Sequence, residues 1–104
     1  MFGGIYVLTR EKLVERDYGL TSQVQRAAVS VMTNIAEGFE RNHLQEKLQF
    51  YNVARASTGE VRSLLYIIID NYESLQESAG SLIKHSIAVG KLVTGLINST
   101  RRRT

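Results

Sequence analysis

Apolar residues recur at helical spacing through most of this chain. With each residue turned by about 100°, Leu20, Val24, Ala27, Ala28, Val31 and Ile35 fall on one face. Phe50, Ala54, Ser57, Val61, Leu64, Leu65, Ile68 and Tyr72 make a second stripe, and Leu82, Ser86, Val89, Val93, Leu96 and Ile97 a third. Ile5, Leu8 and Leu13 could turn inward from a shorter helix ahead of them. No segment alternates in the way a half-buried strand would. The pattern predicts helices over about 5–16, 20–37, 43–72 and 76–99, with a flexible basic tail at 100–104. Short connections between long helices force antiparallel neighbours. The expected fold is therefore all-α: an antiparallel up-and-down helical bundle of four-helix type, its first helix short or truncated, in a single domain over 1–104.

The punctuation agrees with that division. Asp17 to Thr21 reads as a turn in which Gly19 supplies backbone freedom. Gly38 suits the position just past a helix end. Asn42 with Gln45, and Ser74 with Glu77, have the spacing of capping boxes that open helices. The third helix would be about 45 Å long, which is long for a chain of this size.

One helix carries more information than the others. In the run from Gly19 to Asn42, the residues Gln23, Arg26, Ser30, Asn34, Glu37 and Arg41 fall within about 80° of one another. Opposite them lie Val29, Met32, Ala36 and Phe39 rather than charges. An ordinary surface helix gives much more of its circumference to polar residues. The helix is thus expected to be enclosed on most sides, with its polar stripe meeting partners such as Ser57 and Glu60 of the third helix, or a neighbouring subunit. Buried polar groups survive where they are satisfied, and they fix register and assembly state. A structural or subunit-interface role is the first reading of the stripe, a ligand pocket the second and catalysis the third.

Composition and charge narrow the function classes. The chain has 104 residues, no proline and no cysteine, which removes the strongest helix breaker, any disulfide and any thiolate chemistry. No stretch has the ~18 consecutive apolar residues of a membrane span, and no signal-peptide pattern opens the chain, so no membrane partner is expected and the cytoplasm is the expected compartment. The net charge of +3 equals the contribution of Arg101, Arg102 and Arg103 at the end. The rest of the chain balances ten basic against ten acidic residues. Any RNA or DNA contact is therefore expected at those three arginines, weak and salt-dependent.

Catalytic patterns are thin. Glu40 and His43 have Glu-x-x-His spacing, but a di-iron bundle needs that motif twice with two further carboxylates, and it occurs once here. Ser30 and Ser57 have no histidine nearby to act as base and no nucleophile elbow around them. No enzymatic activity, metal or cofactor is expected. Tyr51, Arg55, Arg62 and Tyr66 share about 60° of the third helix. Tyrosine and arginine are enriched where proteins meet, so this face is read as a subunit interface.

The segments GLTSQ, RAAVS and NIAEG, with Arg41 following, resemble the signature of the 23S rRNA intervening-sequence family, bacterial proteins sometimes labelled ribosomal. Ile5-Tyr6, Leu8-Thr9 and Tyr18-Gly19-Leu20 match before it, and Phe50, Ala54, Ser57 and Glu60 after it. The chain departs from the family pattern at Lys12-Leu13, Val31-Met32 and Ala56-Ser57. The resemblance implies a helical bundle that assembles with itself into a ring, a pentamer first, and serves as a scaffold or binding protein of unsettled role. A distant relative in fold is an accessory to a retroelement reverse transcriptase, so the alternative expectation is a nucleic-acid-binding partner of such an enzyme.

Overall fold

The computed structural model describes residues 3–8 and 17–103. Four α-helices follow one another: α1 (Gly3–Leu8), α2 (Tyr18–Glu40), α3 (Leu44–Asn71) and α4 (Gln76–Arg101), with a 3-10 turn at Glu73–Leu75 before α4. No strand occurs among the described residues. The all-α bundle with a short first helix is the fold the hydrophobic pattern predicts. Of the expected helix at 5–16, residues 9–16 lie outside the described residues.

The three long helices pack side by side, α3 in the middle with α2 on one flank and α4 on the other. The molecule measures 47 × 20 × 17 Å, its long dimension set by α3. Valines, leucines and isoleucines from all three helices close the core, and Ile5 of α1 is fully buried with them. Ala27, Ala28 and Ala54 are buried too, and their small side chains let α2 and α3 approach closely. The short α1 touches both α2 and α4 and so sits between them, where the fourth helix of a bundle belongs. A Cβ on Gly4 would stand 2.8 Å from Leu82 Cδ2, so α1 lies directly on α4.

The ends of α2 differ from the sequence expectation. Asp17 is not part of a turn but the N-cap: its Oδ1 accepts from Leu20 N at 2.9 Å, and Gly19 lies inside the first helical turn. Gly38 does not terminate α2, which runs on to Glu40, and no glycine among the described residues has positive φ. Its reason is steric. A Cβ at Gly38 would overlap Tyr51 Cε1 and Cδ1, because the Tyr51 ring packs against the α2 backbone there. The two expected capping boxes are not formed either. His43 and Leu75 occupy the N-cap positions of α3 and α4, and neither makes a side-chain cap bond. At the far end α4 continues through Thr100, which is buried, to Arg101, so residues 100 and 101 are helical where a flexible tail was expected.

These packing environments give opposite expectations for two glycine substitutions. Gly38→Ala should destabilise the fold by about 1–3 kcal/mol, because the extra methyl overpacks a rigid ring. Gly59→Ala, in α3, meets nothing within 4 Å and should stabilise by up to about 1 kcal/mol through helix propensity. Urea titrations of the two variants beside the parent chain measure both signs.

Candidate functional site

The polar stripe of α2 divides into three parts. Gln23 and Arg26 are exposed and belong to the solvated surface. In the middle, Ser30 and Ser57 bring their hydroxyls to 2.7 Å, bridging α2 and α3. Asn34 Nδ2 donates to the Ser30 carbonyl at 2.8 Å and to its Oγ at 3.2 Å, which extends the bridge by one turn. At the C-terminal end Glu37 pairs with Arg41 at i, i+4. The Arg41 guanidinium lies 4.7 Å from the centre of the Phe50 ring, a cation–π contact between the end of α2 and α3. Its Nε is buried with no hydrogen-bond partner among the described residues. Glu60 is exposed and does not join the stripe.

The expected enclosure of α2 on most sides does not occur within the chain. Val29, Met32 and Phe39 are exposed, Phe39 by 61%. Among the described residues, α1 meets α2 and α4 near Leu82, and farther along the space between those two helices is open. There Ile35 and Phe39 of α2 face Val89, Leu92, Val93 and Leu96 of α4 across a channel of about 250 Å³ lined only by apolar side chains. Leu92 is 69% exposed. Sequence periodicity assigned Leu96 to the core stripe and did not single out Leu92, which follows from the helix having two apolar faces in place of one.

Further contacts lock α2 to α3. Lys47 Nζ donates to the carbonyls of Gly38 and Phe39 at 3.1 and 3.0 Å, placing a cation at the negative end of the helix, where Gly38 O also accepts from Arg41 N at 3.3 Å. Phe39 meets Tyr51 edge to face, with centroids 6.0 Å apart. At the opposite end the Tyr72 hydroxyl reaches Asp17 Oδ2 at 3.5 Å. Burial raises the Tyr51 phenol above its ordinary value of 10.0, and the Arg103 charge opposes that rise.

Tyr51 therefore leaves the face it was expected to share with Arg55, Arg62 and Tyr66. It is 1% exposed beneath Gly38, whereas the other three are exposed. Arg55 donates to Asn52 Oδ1 at 2.9 Å. Arg55 and Arg62 line a groove between α3 and α4 together with Lys91, a residue that sequence reasoning missed because it lies on a different helix. Arg101 ends α4, and Arg102 and Arg103 follow in a hydrogen-bonded turn, all three exposed. Glu40 and His43 are both exposed, at the end of α2 and the N-cap of α3. Among the described residues no three or more histidine, aspartate or glutamate side chains gather as a metal site would require, and no helix is long and apolar enough to cross a membrane.

The short α1, the three long helices and the bridged α2 stripe define an all-α helical bundle. The chain belongs to the 23S rRNA-intervening sequence protein family, whose model matches residues 3–95. No curated protein and no solved structure matches it.

Two measurements test this geometry. Ser30→Ala and Ser57→Ala should each cost about 1–2 kcal/mol by orphaning the opposite hydroxyl, and the double variant should cost little more than either. Arg26→Ala, at the exposed end of the same stripe, should stay within about 0.5 kcal/mol of the parent. For Tyr51, a folded-state value raised above 10 means that the folded chain holds the proton longer than the unfolded one. That contribution is complete below pH 10 and is lost as pH rises through the raised value. Thermal midpoints from pH 8 to 11.5 should thus fall more steeply for the parent than for Tyr51→Phe.

Proposed function

We propose that this chain is a non-enzymatic scaffold that assembles with copies of itself, a pentameric ring being the form its family likeness suggests. The observation that carries the proposal is the open α2–α4 channel. Ile35, Phe39, Leu92 and Leu96 form a continuous apolar surface that one subunit leaves to water. Met32, one turn before Ile35 and Ala36, extends it around α2. Contiguous apolar surface of this kind marks an interaction site in a soluble protein. On α3, which takes no part in the channel, Val53 and Ile67 are each about half exposed but stand about 21 Å apart along the helix, with the exposed Glu60 between them.

The polar groups support a scaffold over a catalyst. Among the described residues each buried serine or threonine hydroxyl closes a bond inside the bundle: Thr21 to Asp17 O, Ser57 to Ser30, Thr58 to Ala54 O, Ser86 to Ile83 O and Thr100 to Leu96 O. They are committed to holding helices rather than poised for a substrate.

Light scattering on the parent chain at micromolar concentration should give a mass several times that of one subunit. Phe39→Asp combined with Leu92→Asp should lower it to one subunit with helicity retained, since both side chains are exposed in the single bundle. A parent chain that is monomeric under these conditions contradicts the proposal.

A further inference from the structure

The groove between α3 and α4 lies apart from the α2–α4 channel and differs from it in chemistry. It encloses about 440 Å³, and Arg55, Arg62 and Lys91 line it with no carboxylate among its walls. Arg62 and Lys91 make no ion pair or hydrogen bond with the described residues, although the chain without Arg101, Arg102 and Arg103 is neutral by count. Glu60, the nearest acid along α3, is turned about 140–160° away from Arg55 and Arg62.

The groove floor is unusual as well. Gly59 of α3 and Gly90 of α4 both lie in it, each inside a long helix where glycine is disfavoured. Packing within the chain does not require either one. A Cβ at Gly59 would meet nothing within 4 Å, and one at Gly90 would make only an ordinary contact with Thr58 at 3.6 Å. This contrasts with Gly38, which a ring holds in place. Two bare stretches of helix between unpaired cations leave room for a ligand to approach the backbone closely.

We propose that this groove binds the phosphodiester backbone of a single nucleic-acid strand. Arginine forks and a lysine suit phosphate oxygens, and the Thr94 side chain on the opposite wall adds a hydroxyl. The choice of a nucleic acid over an acidic peptide rests on Tyr66. Arg55, Gly59, Arg62 and Tyr66 follow one another at i, i+4, i+7 and i+11, a single stripe along α3 that ends in a half-exposed aromatic ring. Cations that track a backbone beside a ring on which a base can stack are the parts of a single-strand site. The groove is separate from the arginines at the end of α4. It needs no assembly to function, but a ring would present several grooves to one strand and multiply the affinity.

The test uses the full chain and two fluorescent probes, a 20-nucleotide oligo-uridine RNA and an oligo-thymidine DNA, titrated by anisotropy across a salt series. Binding at 50 mM salt should weaken with a log–log slope of about −2 for each engaged groove, from three phosphate contacts on a single strand. A difference between the two probes assigns the backbone to RNA or DNA. Arg55→Ala, Arg62→Ala and Lys91→Ala together should lower affinity at least tenfold and flatten the slope, with helicity and mass unchanged. Gly59→Glu should cause a similar loss while favouring the helix, so a folding failure of the triple variant leaves the proposal testable. Replacing Arg101, Arg102 and Arg103 with alanine should cost less than threefold. Absence of binding at 50 mM salt, full affinity in Gly59→Glu, or loss confined to the Arg101–Arg103 variant overturns the proposal. Equal competition by polyglutamate overturns the choice of nucleic acid and assigns the groove to an acidic protein segment.

Discussion

The seating of the Tyr51 ring on Gly38 is the contact on which the rest of the bundle depends. A ring against bare helix backbone sets how closely α2 and α3 can approach at their joined end, and no other residue type at position 38 permits it without movement. With that distance fixed, Lys47 reaches the last carbonyls of α2, Arg41 settles over Phe50 and Phe39 turns its edge to Tyr51. The hydroxyl pair Ser30–Ser57 then holds the middle of the same helix pair, and Asp17 with Tyr72 the far end. Apolar burial supplies the bulk of the stability, but it is non-directional. These polar and steric contacts are what select one register of α2 on α3.

The same geometry explains where the surface is left open. Because α3 is flanked by both long neighbours, α2 and α4 face each other across the position of a fourth helix, and the described part of α1 lies at one end of it. The apolar channel between them is the surface on which the proposed self-association rests. On the other side, the α3–α4 groove collects cations over bare glycines. The two surfaces share α4 but use different faces of it, with Leu92 and Leu96 toward α2 and Lys91 and Thr94 toward α3.

Helix count and the core residues of the long helices were legible in the sequence, because a stripe recurring over twenty or more residues has few other solutions. Membership of the family was legible from the NIAEG segment and its neighbours. Local signals misled where a tertiary contact took over. Gly38 resembled a terminator, yet a ring from another helix is what requires it. Asn42 and Ser74 had capping spacing, but the chain placed His43 and Leu75 at the caps instead. Tyr51 matched Arg55 and Arg62 in angle, but it sits beside the last turns of α2, where the same angle points inward. The stripe from Gln23 to Arg41 was readable as a unit, but not its division into a solvated end, a hydroxyl bridge and an ion pair. That division depends on what α3 offers opposite each position. Lys91, Gly90 and Leu92 were missed because grooves between helices combine residues that no single periodicity connects.

The claim that copies of the chain cover the α2–α4 channel is tested most directly by hydroxyl-radical footprinting over a concentration series. Met32, Phe39 and Leu92 should lose reactivity as concentration rises into the micromolar range, while the exposed Tyr66 of α3, which does not line the channel, keeps its own. Reactivity at Phe39 and Leu92 that stays equal from dilute to concentrated protein would contradict the account.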